Sequence, residues 1–267
     1  MHIRRAAAIV LRQGYLVKGS AARVVPLFAW VAVDMVLWGF ITRYLNAVTG
    51  PRFDFVPALL GAVLLWDFLA RVMQGVTMTF FEDVWARNFL NLFATPLRIS
   101  EYLAGLVLSS IATSTVGLVV MLIVASLAFG LHFATYGALL APFLGVLFLF
   151  GIALGVLATS LVLRLGPAAE WFIWPIPALV SPFAGVFYPV ATLPAWMQVI
   201  SRALPPSYVF EGLRSIVTGQ PVHASRLVFA LGLAALYVLF ACWVFATVHR
   251  HAVRTGLIAR YSAETVS

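Results

Sequence analysis

The chain has 267 residues, of which 63% are hydrophobic and 10% charged, against roughly a quarter charged in a soluble domain, and its mean hydropathy is +1.02. Water is excluded as the main solvent for this surface, and lipid takes its place. The net charge of +8 sits at the chain ends and beside the apolar runs, with no basic stripe interleaved by stacking aromatics, which excludes a nucleic-acid surface and points to orientation in a membrane.

Uncharged runs of about 20 residues recur, long enough to cross roughly 30 Å of hydrocarbon as helix. A β-barrel would alternate polar and apolar residues, and GLVLSSIATSTVGLVVMLIVASLAFG (105–130) does not. The fold class is therefore an all-α integral membrane protein with six predicted spans in a single transmembrane domain. Residues 1–23 form an interfacial helix, in which Ile3, Ala7, Val10, Leu11, Gly14 and Val17 share a face and Arg4, Arg5, Arg12 and Lys18 lie mostly elsewhere. The five basic groups there precede no apolar segment with a cleavage site, so the first span is expected to act as its own insertion signal. The spans are placed at about 24–45, 57–80, 103–128, 137–163, 171–190 and 226–248, with a tail over 249–267.

An internal N-terminus puts eleven basic residues inside and five outside, with Arg71 in a span, and an even number of spans returns the C-terminus to the cytoplasm. Three ionisable residues fall within spans: Asp34 in the first, and Asp67 with Arg71 in the second. Each costs roughly 2.5–3.5 kcal/mol to insert, so they should face protein or water and be paired. Asp67 and Arg71 are four apart on one helix face, within reach of each other, and Asp34 can join from the neighbouring helix. This group fits an ion pair that fixes helix packing, or a substrate or proton site of the kind a secondary transporter uses.

Between the second and third spans, FFEDVWARNFLNLFATPLRISEYLAG (80–105) carries an apolar stripe of Phe81, Val84, Trp85, Phe89, Leu92 and Phe93. Glu82, Asp83, Arg87 and Asn91 lie off it, so an amphipathic helix is expected at the inner interface, ended by Pro96. The fifth span contains Pro175, Pro177, Pro182 and Pro189. Each removes a backbone donor, so a straight helix is not expected; the segment fits either a pathway lining or a kinked structural helix. Residues 191–219 read as two short helices broken at Pro205 and Pro206, with Pro194 in a first turn and Glu211 and Arg214 three apart. They fit a re-entrant closure of the outer side or an interfacial cap on the bundle.

Nothing in the chain matches a chemical motif. Lys18 is followed by Gly19, not Ser or Thr, so the phosphate-binding loop signature is absent, as are the hydrolase elbow and the paired-histidine zinc helix. Cys242 has no partner for a disulfide or cysteine cluster, and the five histidines show no ligand spacing. No catalytic residue and no metal site is expected.

Two stretches carry a resemblance. LFATPLRISEYLAG (92–105) is similar to the "TPL…S..E" segment that follows the cytoplasmic coupling helix of type-2 ATP-binding-cassette (ABC) exporter permeases, and FYPVATLPAWMQVISRALPPSYVFEGLRSIVTG (187–219) is similar to their outer "P…LP.W…I….P..Y..E.LR" segment. The group includes exporters of polysaccharides, lipo-oligosaccharides and drugs. The resemblance implies a homodimeric permease in the bacterial inner membrane that exports an amphipathic or lipid-linked substrate, and that is not itself an enzyme. It also implies two copies of a separate ATPase subunit, which would hold ATP and magnesium, so that this chain binds no cofactor. On that basis a coupling helix spans 81–98, with Glu82, Asp83, Trp85, Arg87, Asn88, Pro96 and Arg98 serving ATPase contact. Pro194, Trp196, Tyr208, Glu211 and Arg214 would belong to an outer gate. The contrasting expectation is an ion- or proton-coupled secondary transporter that works through Asp34, Asp67 and Arg71. Paired broken helices in inverted repeats would signal it, and only one Pro-rich span is present.

Overall fold

A computed structural model describes residues 3–19, 21–49, 56–86, 92, 95–166, 169, 171 and 173–256. Among the described residues all regular structure is helical. Helix α1 (Ile3–Lys18) leads into α2 (Ala21–Thr49). A wide turn at Val56–Leu60 opens α3 (Gly61–Trp85), followed by α4 (Ile99–Phe129). A tight helical stretch, Phe133–Leu139, leads into α5 (Leu140–Leu165). The short helices α6 (Ile176–Ala184), α7 (Ala195–Ala203) and α8 (Pro205–Val217) precede the long α9 (Ala224–Arg254).

Four helical stretches, Val56–Trp85, Ile99–Phe129, Phe133–Leu165 and Ala224–Arg254, are long and apolar enough to cross a membrane. At 1.5 Å per residue each is roughly 45 Å long, more than the ~30 Å hydrocarbon layer. The chain is therefore a multi-pass membrane protein. Helix α2, 29 residues long, carries only Asp34 between Arg23 and Arg43 as a charged group.

Helix α3 is the centre of the bundle, with α4 on one side and α5 on another, and α5 in turn packs along α9. In lipid no hydrophobic force draws helices together, so close van der Waals contact and buried hydrogen bonds must do it. Gly151 and Gly155, one turn apart on α5, let α3 approach until a Cβ on either would lie 2.9 Å from a backbone oxygen, of Leu69 and Met73 respectively. Val72 and Val76 fill the space left. On the α4 side Gly75 rests against Ser110, whose hydroxyl donates to the Val72 carbonyl at 2.7 Å.

Helix α4 ends at Gly130, whose φ of 68° is the left-handed conformation that glycine adopts without a Cβ penalty. The Phe129 ring beside it lies on Gly39 of α2, and Arg43 donates to the Ala128 carbonyl at 2.7 Å.

The span expected over 171–190 is not one continuous helix. Regular α-helix there is limited to the nine residues of α6, about 13 Å by rise, too short to cross. Residues 173–175 form a turn, and Gly185, at φ 62°, ends the helix. The Tyr188 hydroxyl donates to the Pro182 carbonyl at 2.8 Å, satisfying a group that the broken helix leaves over. Ile173, Trp174 and Pro177 close a small cavity against Met73, Gln74, Thr77 and Phe81 of α3.

Replacing both Gly151 and Gly155 with Ala should destabilise the bundle by ~1–3 kcal/mol per site, because backbone oxygens cannot swing aside as a side chain can. Thermal unfolding in detergent checks this, with Gly232→Ala as a neutral control, since a Cβ there meets nothing within 4 Å.

Candidate functional site

A polar cluster lies where the end of α3, the start of α4 and one face of α1 meet. Asp83, in the last turn of α3, is 2% exposed. Its Oδ2 accepts the Tyr102 hydroxyl at 2.8 Å, and its Oδ1 pairs with the Arg12 guanidinium at 2.5 Å. Glu101 is fully buried. It accepts the Arg98 backbone N–H at 3.1 Å at the start of α4, and pairs with Arg5 at 3.3 Å. Arg5 also donates to the Pro96 carbonyl. A buried carboxylate is tolerated when a cation and further hydrogen bonds compensate its lost hydration, and both carboxylates here have these.

Along α1 the arginines and the exposed apolar residues lie on different faces. Arg5 and Arg12 point inward to buried acids, while Leu11, Tyr15 and Leu16 are exposed.

The coupling set divides. Phe81 to Trp85 are not the start of a separate helix: they continue α3, because Phe80, Phe81 and Val84 prolong its buried stripe. Asp83, expected on an outer polar face, is interior for the pairing reasons just given. Trp85 is 54% exposed and stacks on Phe81, and Pro96 and Arg98 are also exposed. Glu82 is half-buried. Arg87 and Asn88 lie outside the described residues, as does most of the expected 81–98 helix.

Within the bundle, Asp34 of α2 and Asp67 and Arg71 of α3 lie close enough to interact electrostatically as a trio. The Arg71 side chain runs along α4 at Gly117, where a Cβ would stand 3.1 Å from its Cδ. The arrangement joins three helices, α2, α3 and α4. Among the described residues no group of His, Cys, Asp or Glu is placed to hold a metal ion.

At the opposite end of α3, α8 organises the loop after α6. Glu211 accepts the Val190 N–H and the Arg214 guanidinium, both at 2.8 Å, and Arg214 reaches the Val186 carbonyl at 3.4 Å. Trp196 is exposed and meets Phe183 edge-on. Tyr208 donates to the Arg202 carbonyl at 2.8 Å and packs on Phe229. Burial pushes its phenol pKa up, with Arg202 and Arg226 pulling the other way. Pro194 caps the start of α7. The outer set is therefore a connected structure around α6 to α8, with Glu211 at its node.

A family model described as ABC-2 type transporter matches residues 11–218, most of the 267-residue chain. The chain belongs to the ABC-2 type transporter family. No curated protein matches it. It is thus an ABC-2 permease, a multi-pass membrane subunit of an ABC transporter of the kind that pairs with an ATPase subunit. In this permease the sequence reading missed Arg5, Arg12, Glu101 and Tyr102 as site residues. The available signal was Glu101 three residues after Arg98, a spacing at which a carboxylate can reach back to a free N–H at a helix start. Nothing in the sequence tied either to α1.

Glu211→Ala should cost ~1–3 kcal/mol, because it leaves the Val190 N–H and the Arg214 guanidinium without their shared acceptor. A lowered melting temperature and faster proteolysis near residues 186–192 would show it, whereas Glu211→Gln keeps one acceptor and should lose less.

Proposed function

We propose that this ABC-2 permease is the membrane-spanning half of an exporter that moves an amphipathic or lipid-linked substrate out of the cytoplasm, driven by ATP hydrolysis in a separate subunit. The observation that carries this reading is the joint between α3 and α4. Trp85, Pro96 and Arg98 are exposed there, on a scaffold stiffened beneath by Asp83 and Glu101. A rigid base under an exposed aromatic and an exposed cation is what a partner needs to push against, since contact energy concentrates on such anchors.

In the full arrangement the chain has six spans, with α2 and the broken segment around α6 supplying those beyond the four long helices. Both termini lie in the cytoplasm of a bacterium, as the excess of basic residues on that side favours. Two permeases form a homodimer, and each receives one ATPase at its α3–α4 joint. The joint includes Glu82, Arg87 and Asn88 as further contacts. ATP binding draws the two ATPases together, and the joint passes that displacement to the helices. The outer elements, with Trp196 and Tyr208 at their surface and Glu211 and Arg214 holding the loop, close the exit until then. The Asp34, Asp67 and Arg71 trio fixes helix packing. The resemblance of residues 92–105 and 187–219 to exporters of polysaccharides, lipo-oligosaccharides and drugs favours a substrate that is itself partly lipid-like.

Purification of the tagged permease co-expressed with a candidate ABC ATPase tests the reading, with ATP hydrolysis and substrate export measured on the same membranes. Recovery of the ATPase should fall about tenfold when Trp85→Ala is combined with Arg98→Glu, equivalent to ~1.4 kcal/mol of lost contact. Export that continues without any ATPase would overturn the proposal in favour of an ion-coupled carrier.

A further inference from the structure

Helix α1 meets the rest of the permease through one face, built from Arg5, Ile9 and Arg12 at spacings of four and three. Such positions stack along one side of a helix over about two turns. The surface they meet is built the same way: Arg98, Glu101, Tyr102 and Gly105 line one side of the α4 start. The two outer contacts are ionic and the middle one is steric. Arg5 pairs with Glu101 at 3.3 Å and Arg12 with Asp83 of α3 at 2.5 Å. Between them Ile9 occupies the notch at Gly105, where an added Cβ would lie 2.7 Å from the Ile9 Cβ.

The charges match, two cations on α1 against two buried acids on the other helices. Sliding or tilting α1 by even a residue would strand a buried carboxylate, which is far more costly than breaking a surface pair. The contact therefore holds α1 to α3 and α4 in one position. Helix α1 also leads almost directly into α2, through Gly19, whose N–H bonds the Tyr15 carbonyl at 3.0 Å. Helix α2 touches α3 only sparsely and leans mainly on α4.

We infer that Arg5, Arg12, Glu101 and Tyr102 are positioning residues for energy coupling, clasping α1 to the ends of α3 and α4 so that displacement of the α3–α4 joint carries α1, and through it α2, as one rigid body. This rests on the reading that an ATPase drives that joint. Arg5 and Arg12 supply the fastening, Glu101 and Asp83 receive it, and Tyr102 holds the Asp83 carboxylate toward Arg12. None of them needs to touch the ATPase or the substrate.

The test uses the full chain in its complex with the ATPase, measuring ATPase recovery, ATP hydrolysis and substrate exported per ATP. Arg12→Asp should leave the ATPase bound and hydrolysing while export per ATP falls about tenfold, and adding Asp83→Arg should restore much of the loss. Tyr102→Phe, which keeps the ring and removes the hydroxyl, should lower export per ATP in the same sense but less. Because a charge reversal can prevent folding, a second arm locks the clasp. Ile9→Cys with Gly105→Cys, in a Cys242→Ser background, places two Cβ atoms 2.7 Å apart, so the helices must part by about 1 Å to reach the ~3.8 Å of a disulfide, and oxidation then fastens them. The oxidised protein should export as well as the reduced one, because a body that moves as a unit loses nothing when fastened. Normal export by the unmodified chain together with loss of export on oxidation would overturn the clasp alone. Unchanged export per ATP in a folded Arg12→Asp chain would also overturn it. An unmodified chain that recruits no ATPase would overturn the exporter reading and the clasp with it.

Discussion

The bundle depends on how closely α3 and α5 approach. Gly151 and Gly155 allow backbone oxygens and Val72 and Val76 into contact distance, and in lipid such contact substitutes for the hydrophobic force that packs a soluble core. Because α3 is held so tightly on that side, its two ends become fixed points. One carries Asp83 and the exposed Trp85. The other faces the loops organised by Glu211. An input at one end of a stiff central helix can thus be felt at the other without any residue in between changing partners.

Polar groups in this chain divide by what satisfies them. Serine and threonine hydroxyls mostly bond back to carbonyls of their own helix, as Thr159 does to Gly155 and Ser160 to Val156, both at 2.7 Å, so they can lie at membrane depth. Among the described residues, three groups of interacting charges stand out: Arg5, Arg12, Asp83 and Glu101; Asp34, Asp67 and Arg71; and Glu211 with Arg214. Each joins at least two segments distant in sequence or, in the last case, ties a helix to the loop before it. The distribution is that of fasteners in a molecule whose remaining surface has no directional preference.

Much of this was legible in the sequence because hydrocarbon imposes a simple rule of length and apolarity, which α3, α4, α5 and α9 obey. The short helices α7 and α8 were legible from Pro194, Pro205 and Pro206, and the Glu211 and Arg214 pair from its spacing of three. Three features were not. The end of α3 could not be separated from a following amphipathic helix, since Phe80, Phe81 and Val84 fit the apolar stripe of either. The position where the proline-rich segment breaks depends on Gly185 taking a left-handed φ, which the surrounding prolines do not specify. The inward turn of Arg5 and Arg12 depends on acids 71 to 96 residues away, and periodicity within α1 carries no information about them.

That inward turn also bears on the order in which the permease is made. Helix α1 leaves the ribosome well before the acids that neutralise Arg5 and Arg12, which arrive only with residues 83 and 101. Until the α4 start is synthesised, α1 has only lipid and water as surroundings, and its cations are hydrated. Its docking is therefore a late closure onto an already inserted helix pair, made long after α1 itself was translated.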